Sequence, residues 1–211
     1  MKLKPATARP RPYAQTARAE SARRTGERIL EAFLARLMGQ WFDEITLDCV
    51  AADAGVTVQT VVRRFGGKEG LLAGAVDVLA AQINANRATP AGDIDAAVRV
   101  LYADYERTGG AVVRLVAIES RQPVIKPFTD IGRGCHRQWL ARAFAPSLEP
   151  LSPGDRERAL DALYVVTDVH AWKLLRRDFG RSLPAARSIT RSLIAATIHQ
   201  FTQHTSEGDR S

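Results

Sequence analysis

The chain has 211 residues, of which 45% are hydrophobic and 25% are charged, a composition typical of a globular protein with a sizeable core. Its only two cysteines, Cys49 and Cys135, are too few for a disulfide scaffold and favour a reducing compartment, so we expect a cytoplasmic protein. No apolar run approaches the roughly 20 residues that span a bilayer, and the N-terminus lacks the apolar stretch of a secretory signal, so we expect no membrane partner.

The net charge of +7 is unevenly distributed along the chain. Residues 2–68 contain 12 basic and 7 acidic side chains, and the first 19 residues contain five basic side chains and no acidic one. This asymmetry predicts an N-terminal part that contacts a polyanion, followed by a nearly neutral remainder. We predict that residues 1–18 form a disordered basic arm, because prolines at 5, 10 and 12 oppose an amphipathic helix. A tail that only aids solubility is the alternative.

Four helices are predicted in the first half of the chain, over residues 19–38, 46–54, 57–65 and 68–89. Ile29, Phe33 and Leu37 recur every four residues and give the first helix one apolar stripe. Thr46 and Thr57 offer N-caps to the second and third helices. A glycine follows each of the first three helices, where it permits the left-handed conformation that often ends a helix.

The helical pattern continues to the end of the chain, over residues 93–107, 111–121, 127–144, 155–179 and 184–203. No segment has the alternation of a β-strand, so the predicted fold class is all-α, with about nine helices. We expect a three-helix N-terminal domain over residues 19–77 and a helical bundle over residues 78–205. Residues 206–211 are expected to form a disordered tail.

The stretch Thr46–Phe65, TLDCVAADAGVTVQTVVRRF, has the pattern of a helix-turn-helix, in which two short helices meet at a turn that contains glycine. Ala51 and Ala54 are small enough for the two helices to approach closely, and Gly55 suits the tight turn. The second helix of such a unit enters the major groove of DNA. A helical hairpin with a solvated outer face is the alternative, and the basic N-terminus counts against it.

The outward side chains of this unit belong to types that contact DNA. Gln59 can bind adenine through two hydrogen bonds, and Val58 or Val62 can meet a thymine methyl group. Four others are better placed for phosphates, which set register without specifying sequence: Thr46, Thr57, Arg64 and Lys68. The complete predicted DNA-binding set is Thr46, Thr57, Val58, Gln59, Thr60, Val62, Arg63, Arg64 and Lys68.

Three segments, which together cover about residues 23–77, resemble the TetR family of transcriptional regulators. The family's first helix resembles RTGERILEAFLARL, its second helix and turn resemble ITLDCVAADAGV, and its recognition helix with the segment after it resembles TVQTVVRRFGGKEGLLAGAV. Its penultimate helix is similar to TDVHAWKLLRRDFGRS. Three positions depart from the family's pattern: Val62 stands where a DNA-contacting tyrosine is usual, Arg64 where histidine or tyrosine is frequent, and Trp41 where glycine is common.

The resemblance implies a transcriptional regulator, usually a repressor, that a small-molecule effector releases from a palindromic operator in double-stranded DNA. It also implies that residues 78–205 bind the effector and form a homodimer through the last two helices. The residues support a dimer independently, because the predicted helix 155–179 is apolar nearly all round in its later part, and such a helix is buried. Filling of the monomer's own core is the alternative.

For the effector pocket we nominate six side chains that combine aromatic walls with polar tips, a common pocket lining. They are Tyr102, Tyr105, Phe128, His136, Trp139 and His170. The alternative for each of them is a place in the hydrophobic core. No cofactor and no metal ion is expected.

Two other classes of protein are alternatives to this interpretation. An enzyme has little support, because residues 66–69 lack the rest of a phosphate-binding loop and the adjacent Cys135 and His136 point about 100° apart on a helix. His199 and His204 also lack a good spacing for a metal ion. The second alternative is an architectural DNA-binding protein without a ligand, which would not distinguish an operator from bulk DNA.

Overall fold

The computed structural model describes the backbone of residues 12–208 and the side chains of residues 16 and 18–203. All regular secondary structure in this range is helical, which confirms the predicted all-α class. The helices are α1 (Pro12–Gly39), α2 (Leu47–Asp53), α3 (Val58–Phe65), α4 (Lys68–Asn86), α5 (Ile94–Ile118), α6 (Lys126–Ala143), α7 (Ala145–Leu148), α8 (Pro153–Thr167), α9 (Val169–Lys173) and α10 (Leu183–Gly208). Short 3₁₀ turns cover Phe42–Glu44 and Pro123–Ile125. None of these described helices is both long and apolar enough to cross a membrane.

Helix α1 begins earlier than the sequence pattern predicts. Its first residue is Pro12, so residues 12–18 of the predicted arm are helical, while residues 1–11 lie outside the described part of the chain. Proline is tolerated at the first helical position because its missing N–H would have no partner inside the helix. Two pairs of charged side chains spaced four residues apart, Glu20–Arg24 and Arg23–Glu27, support the exposed part of α1 that precedes its buried stripe.

The apolar stripe of α1 forms the centre of the N-terminal core. Ile29, Phe33 and Leu37 are almost completely buried, as predicted, and Val50 of α2 and Val61 of α3 are buried in the same cluster. Side chains from the start of α4 and from the end of α5 complete this cluster. The core of the N-terminal helices therefore extends to the start of α4 and the end of α5.

The predicted break at Gly109-Gly110 is wrong, because α5 runs through both glycines as one helix of 25 residues. The reason is a close contact between helices: a Cβ atom at Gly109 would lie 2.6 Å from the Trp172 ring. Glycine in a helix costs about 1 kcal/mol relative to alanine. Here the burial of Trp172 against α5 offsets that cost.

The predicted continuous helix over residues 155–179 is also wrong, because it divides at Asp168, whose backbone is extended (φ −63°, ψ 154°). The Thr167 hydroxyl donates to the Leu163 carbonyl at 2.6 Å, and the Asp168 carboxylate caps α9 by accepting from the His170 amide at 2.8 Å. Helix α9 then widens into a π-helical turn over Leu174–Asp178.

The second core lies among α5, α6, α8, α9 and α10. Leu101, Leu140 and Leu163 are almost completely buried in it. The backbone of α10 continues to Gly208, so residues 206–208 of the predicted tail are helical, and residues 209–211 lie outside the described range. The sequence pattern does not reveal these helical residues, because the polar end of α10 has no apolar stripe.

Candidate nucleic-acid interface and adjoining cavity

The turn between α2 and α3 is built by local hydrogen bonds. The Thr46 hydroxyl accepts from the Cys49 amide, and the Thr57 hydroxyl accepts from the Thr60 amide, each at 3.3 Å. Both predicted N-caps are therefore confirmed. Gly55 between the helices has φ of 63°, a left-handed conformation that an L side chain rarely adopts. The two short helices consequently cross at a fixed, tight turn.

The outer face of α3 carries the side chains that the sequence pattern assigned to base contacts. Gln59, Val62 and Arg63 are exposed, whereas Val61 between them is completely buried against the N-terminal core. Val58 and Thr60 are half-buried. Helix α3 is thus strongly two-sided, and its exposed side carries an amide, a guanidinium and a small apolar group.

Arg64, for which the sequence predicts a phosphate contact, is bonded to α1 in this structure. Its guanidinium donates a hydrogen bond to the main-chain carbonyl of Ala22 on α1. The Arg64 side chain lies against Gly26, where an added Cβ would be 3.4 Å from the guanidinium nitrogen Nε. In this structure Arg64 joins the end of α3 to α1, a contact between positions 42 residues apart that no local pattern reveals.

Thr46 and Lys68 both follow the 3₁₀ turn Phe42–Glu44 in the sequence. Thr46 is exposed, and the half-buried Lys68 places its ammonium nitrogen 4.3 Å from the centre of the Phe42 ring. Partial burial lowers the pKa of Lys68, against the opposing influence of the nearby Asp43 carboxylate. The ammonium group therefore stabilises the start of α4 through a cation–π contact.

Two arginines hold α1 to its neighbours. Arg36 of α1 makes a forked ion pair with Asp53 at the end of α2, with N–O distances of 2.6 and 2.9 Å. Arg114 of α5 donates to the main-chain carbonyls of Leu37, Met38 and Gln40 at the C-terminal end of α1. The shortest of these bonds is the one to Met38, at 2.7 Å. A cation at this helix end also complements the helix dipole.

A cavity of about 150 Å³ lies beside the C-terminal end of α1, where Arg114 joins α1 to α5. Met38 of α1 forms part of its wall, and the other lining residues come from α4, α5, α6, α8, the residues that follow α4 and α8, and α9. Four of the six nominated pocket residues line it: Tyr105, Phe128, His136 and His170.

The other two nominated pocket residues do not line the cavity. The Tyr102 hydroxyl is hydrogen-bonded to the Thr190 hydroxyl at 2.8 Å and donates to the Ala186 carbonyl of α10. The Trp139 indole donates to the Arg87 carbonyl at 2.8 Å. Both side chains are buried in the second core, the alternative place that the sequence left open for them.

A buried polar network forms one end of the cavity. Arg87, just after α4, forms an ion pair with Asp104 of α5 at 2.7 Å and also donates to Nδ1 of His136 at 2.8 Å. Nε2 of His136 donates to the Thr167 hydroxyl at 2.9 Å, so the imidazole is neutral and protonated on Nε2. Burial, together with the nearby Arg87, lowers the pKa of His136 to about 3.

No sequence pattern points to Arg87 or Asp104. Arg87 and Asp104 are 17 residues apart in the sequence, and Arg87 and His136 are 49 residues apart, so no helical spacing connects them. The only available signal is a charged residue next to an apolar stripe, which is far commoner on solvated helix faces. Within the described residues, no group of three histidine, cysteine, aspartate or glutamate side chains is arranged to hold a metal ion.

The fold is shared with two solved structures. One is a protein from Pseudomonas aeruginosa PAO1 described as a candidate transcriptional regulator, with a TM-score of 0.64 and 16% identity over 82% of this chain and 90% of that one. The other, from Streptomyces coelicolor A3(2), carries the same kind of description, with a TM-score of 0.58 and 22% identity over 82% of this chain and 98% of that one. The chain has their fold. No family model matches it, and no curated protein is significantly similar to it in sequence.

Proposed function

We propose that the protein is a sequence-specific, DNA-binding transcriptional regulator whose helix α3 enters the major groove. The observation that carries this proposal is the exposed face of α3, where Gln59, Val62 and Arg63 project from a helix held by a cap and a tight glycine turn. Both solved structures of the same fold are described as candidate transcriptional regulators, which supports the same class of function.

The exposed side chains suit different parts of a DNA duplex. Gln59 can bind an adenine edge, Val62 can contact a thymine methyl group, and Arg63 can bind guanine or a phosphate. The hydroxyls of Thr46 and Thr57 suit phosphates, which fix the position of the protein without reading sequence. Because Arg64 is bonded to α1, its contribution to DNA binding is to hold α3 in place.

A homodimer formed through α8 and α10 is part of the proposal. Val165 on α8 is 69% exposed, and Ile189 and Leu193 on α10 are 37% and 45% exposed. Burial of these apolar side chains against a second copy would stabilise the dimer. Two copies of α3 could then bind half-sites of a palindrome about 34 Å apart, one turn of the double helix.

We further propose that the protein is a repressor, that it acts in the cytoplasm, and that a small molecule in the cavity releases it from DNA. Met38 supports this coupling, since its side chain lines the cavity and its carbonyl is held by Arg114. A molecule in the cavity therefore contacts the same end of α1 that positions the DNA-binding helices. Release requires that the molecule bind more tightly to the conformation that does not fit the operator.

Selection of bound fragments from genomic DNA by the full-length protein tests this function. We expect recovery of a short inverted repeat, and we expect Gln59→Ala to weaken or alter that selection. Gln138→Ala is the matched control, because Gln138 is exposed on α6, far along the chain from α3. Uniform recovery of all fragments, lost equally as salt rises, would mean that the protein binds only phosphates and is not a sequence-specific regulator.

A further inference from the structure

We infer that the cavity takes an uncharged molecule about the size of one substituted aromatic ring, and that the ligand's polar group is hydrogen-bonded to the Tyr164 hydroxyl. This inference rests on the proposed function in one respect, namely that the molecule is the effector. The volume, the lining and the charge balance of the cavity define the chemical class of that effector.

The volume of the cavity limits the size of the ligand. At about 150 Å³, the cavity matches the volume of an apolar protein cavity that accommodates benzene. A ring with a substituent of one or two heavy atoms therefore fills the space, whereas a multi-ring compound requires the helices to separate. Most of the wall is apolar, with contributions from Met38, Leu79, Ile83, Leu115, Val116 and Phe128.

The charged side chains that line the cavity already have partners: each is paired with an opposite charge or accepts from a hydrogen-bond donor. Arg87 is paired with Asp104, and Arg133 is paired with Glu119 at 2.6 Å.

The Asp168 carboxylate accepts from both the amide and the imidazole of His170, with 2.7 Å to the imidazole nitrogen. A charged ligand would lose its hydration on entering this apolar space and would find no free counter-charge in return. The balance of charge therefore favours an uncharged ligand.

Tyr164 supplies the hydrogen-bonding group that the ligand needs. It lines the cavity, its ring packs edge-on against His136 with 4.9 Å between ring centres, and its hydroxyl has no hydrogen-bond partner among the side chains and backbone described. Partial burial raises the pKa of Tyr164, so the hydroxyl stays protonated and can donate as well as accept. The neighbouring Tyr105 hydroxyl is already bonded to the Thr167 carbonyl at 3.0 Å.

Three probes of nearly equal shape test the charge class: benzyl alcohol, benzoate and benzylammonium. Binding of each to the full-length protein is measured by ligand-observed NMR titration at neutral pH. We expect benzyl alcohol to bind at least tenfold more tightly than either ion. Equal or tighter binding of benzoate or benzylammonium, or no binding of benzyl alcohol at millimolar concentration, would overturn the inference.

A matched pair of variants locates the binding site. Ala80→Leu fills the cavity and is expected to abolish binding of benzyl alcohol, whereas Ala81→Leu adds the same side chain to the exposed side of α4 and should leave binding unchanged. Equal losses of binding in Ala80→Leu and Ala81→Leu would contradict this site.

A third variant tests the hydrogen bond to Tyr164. Tyr164→Phe removes only a hydroxyl that has no hydrogen-bond partner among the described residues. It should weaken the binding of benzyl alcohol about fivefold, while toluene binds to it as tightly as to the wild type.

The selection of DNA fragments described above separates the two proposals. Recovery of an inverted repeat without preferential binding of benzyl alcohol refutes the ligand class and leaves the regulator standing. Preferential binding that Ala80→Leu abolishes, without any recovered repeat, refutes the DNA-binding function and leaves the cavity's chemistry standing.

Discussion

Two adjacent glycines in the middle of α5 meet very different surroundings. An added Cβ at Gly109 would lie 2.6 Å from the Trp172 ring, whereas one at the exposed Gly110 would meet only the flexible end of Arg114 at 3.6 Å. We expect Gly109→Ala to lower the free energy of unfolding by about 1–3 kcal/mol through overpacking. Gly110→Ala should raise it by about 0.5–1 kcal/mol through helix propensity. Urea denaturation of both variants measures these values, and changes of the same sign would contradict the packing of Trp172.

The buried, neutral imidazole of His136 should make the free energy of unfolding decrease in acid. Because its pKa in the folded protein is lowered to about 3, the unfolded imidazole binds a proton below about pH 6.5 that the folded one does not. The free energy of unfolding should therefore fall by about 2 kcal/mol between pH 8 and pH 5 on account of this residue.

Denaturation at both pH values measures that fall. His136→Gln can still accept from Arg87 and donate to Thr167, so it should fold and lose this part of the pH dependence. His199→Gln, at an exposed position on α10, should keep it. An identical pH dependence in wild type and His136→Gln would show that the imidazole is not held neutral.

At the residue scale, the exposure of Gln59, Val62 and Arg63 was predictable, because exposure follows from the position of buried Val61 in a helical repeat. The half-burial of Val58 and Thr60, also predicted to face outward, was not. The hydrogen bond from Arg64 to a backbone carbonyl on α1 was not predictable. Backbone carbonyls are present at every position, so a side chain that reaches one across the fold leaves no mark in the sequence.

At the scale of helices, boundaries with local causes were predictable. Thr46 and Thr57 bond to amides three residues ahead, so their capping depends only on neighbouring residues. The division at Asp168 was not predictable, because apolar residues continue on both sides of it. Its cause is tertiary: the Thr167 carbonyl accepts from the Tyr105 hydroxyl of α5, and the Thr167 hydroxyl accepts from His136 of α6.

The hydrogen bonds from Arg114 to the end of α1 should contribute measurably to the free energy of unfolding. Arg114→Ala removes the hydrogen bonds to three carbonyls and should lower the free energy of unfolding by about 1–2 kcal/mol. Arg99→Ala is the matched control, because Arg99 is exposed on the same helix. Urea denaturation compares the two variants, and equal stabilities would refute the role of Arg114. If the junction transmits ligand binding, Arg114→Ala should also respond less to the effector in a DNA-release assay.

For the whole molecule, composition and periodicity predicted the all-α class, which the structure confirms. The cavity was only partly predictable. Its lining extends from Met38 to His170 and comes from most of the bundle, so it depends on how helices pack rather than on any one pattern. The choice of aromatic side chains, most of them with polar tips, identified four lining residues, but it also selected Tyr102 and Trp139, which fill the core.

If the protein is a dimer through α8 and α10, charged substitutions on these helices should lower the mass of the particle in solution. Val165→Asp and Leu193→Glu place charges among exposed apolar side chains and should convert the dimer to a monomer, because a buried charge without a partner is costly. Ala81→Glu adds a charge at an exposed position on α4 and should remain dimeric. Sedimentation velocity distinguishes these states. A wild-type monomer, or dimers in all three variants, would contradict an interface at α8 and α10.

The affinity of the full-length protein for the recovered inverted repeat, compared with a scrambled repeat of the same composition and length at one salt concentration, tests the central claim most directly. A protein that reads bases with Gln59, Val62 and Arg63 should bind the repeat at least about 1,000-fold more tightly. Equal dissociation constants for the two duplexes, rising together with salt, would contradict base reading by α3 and reduce the interaction to phosphate contacts.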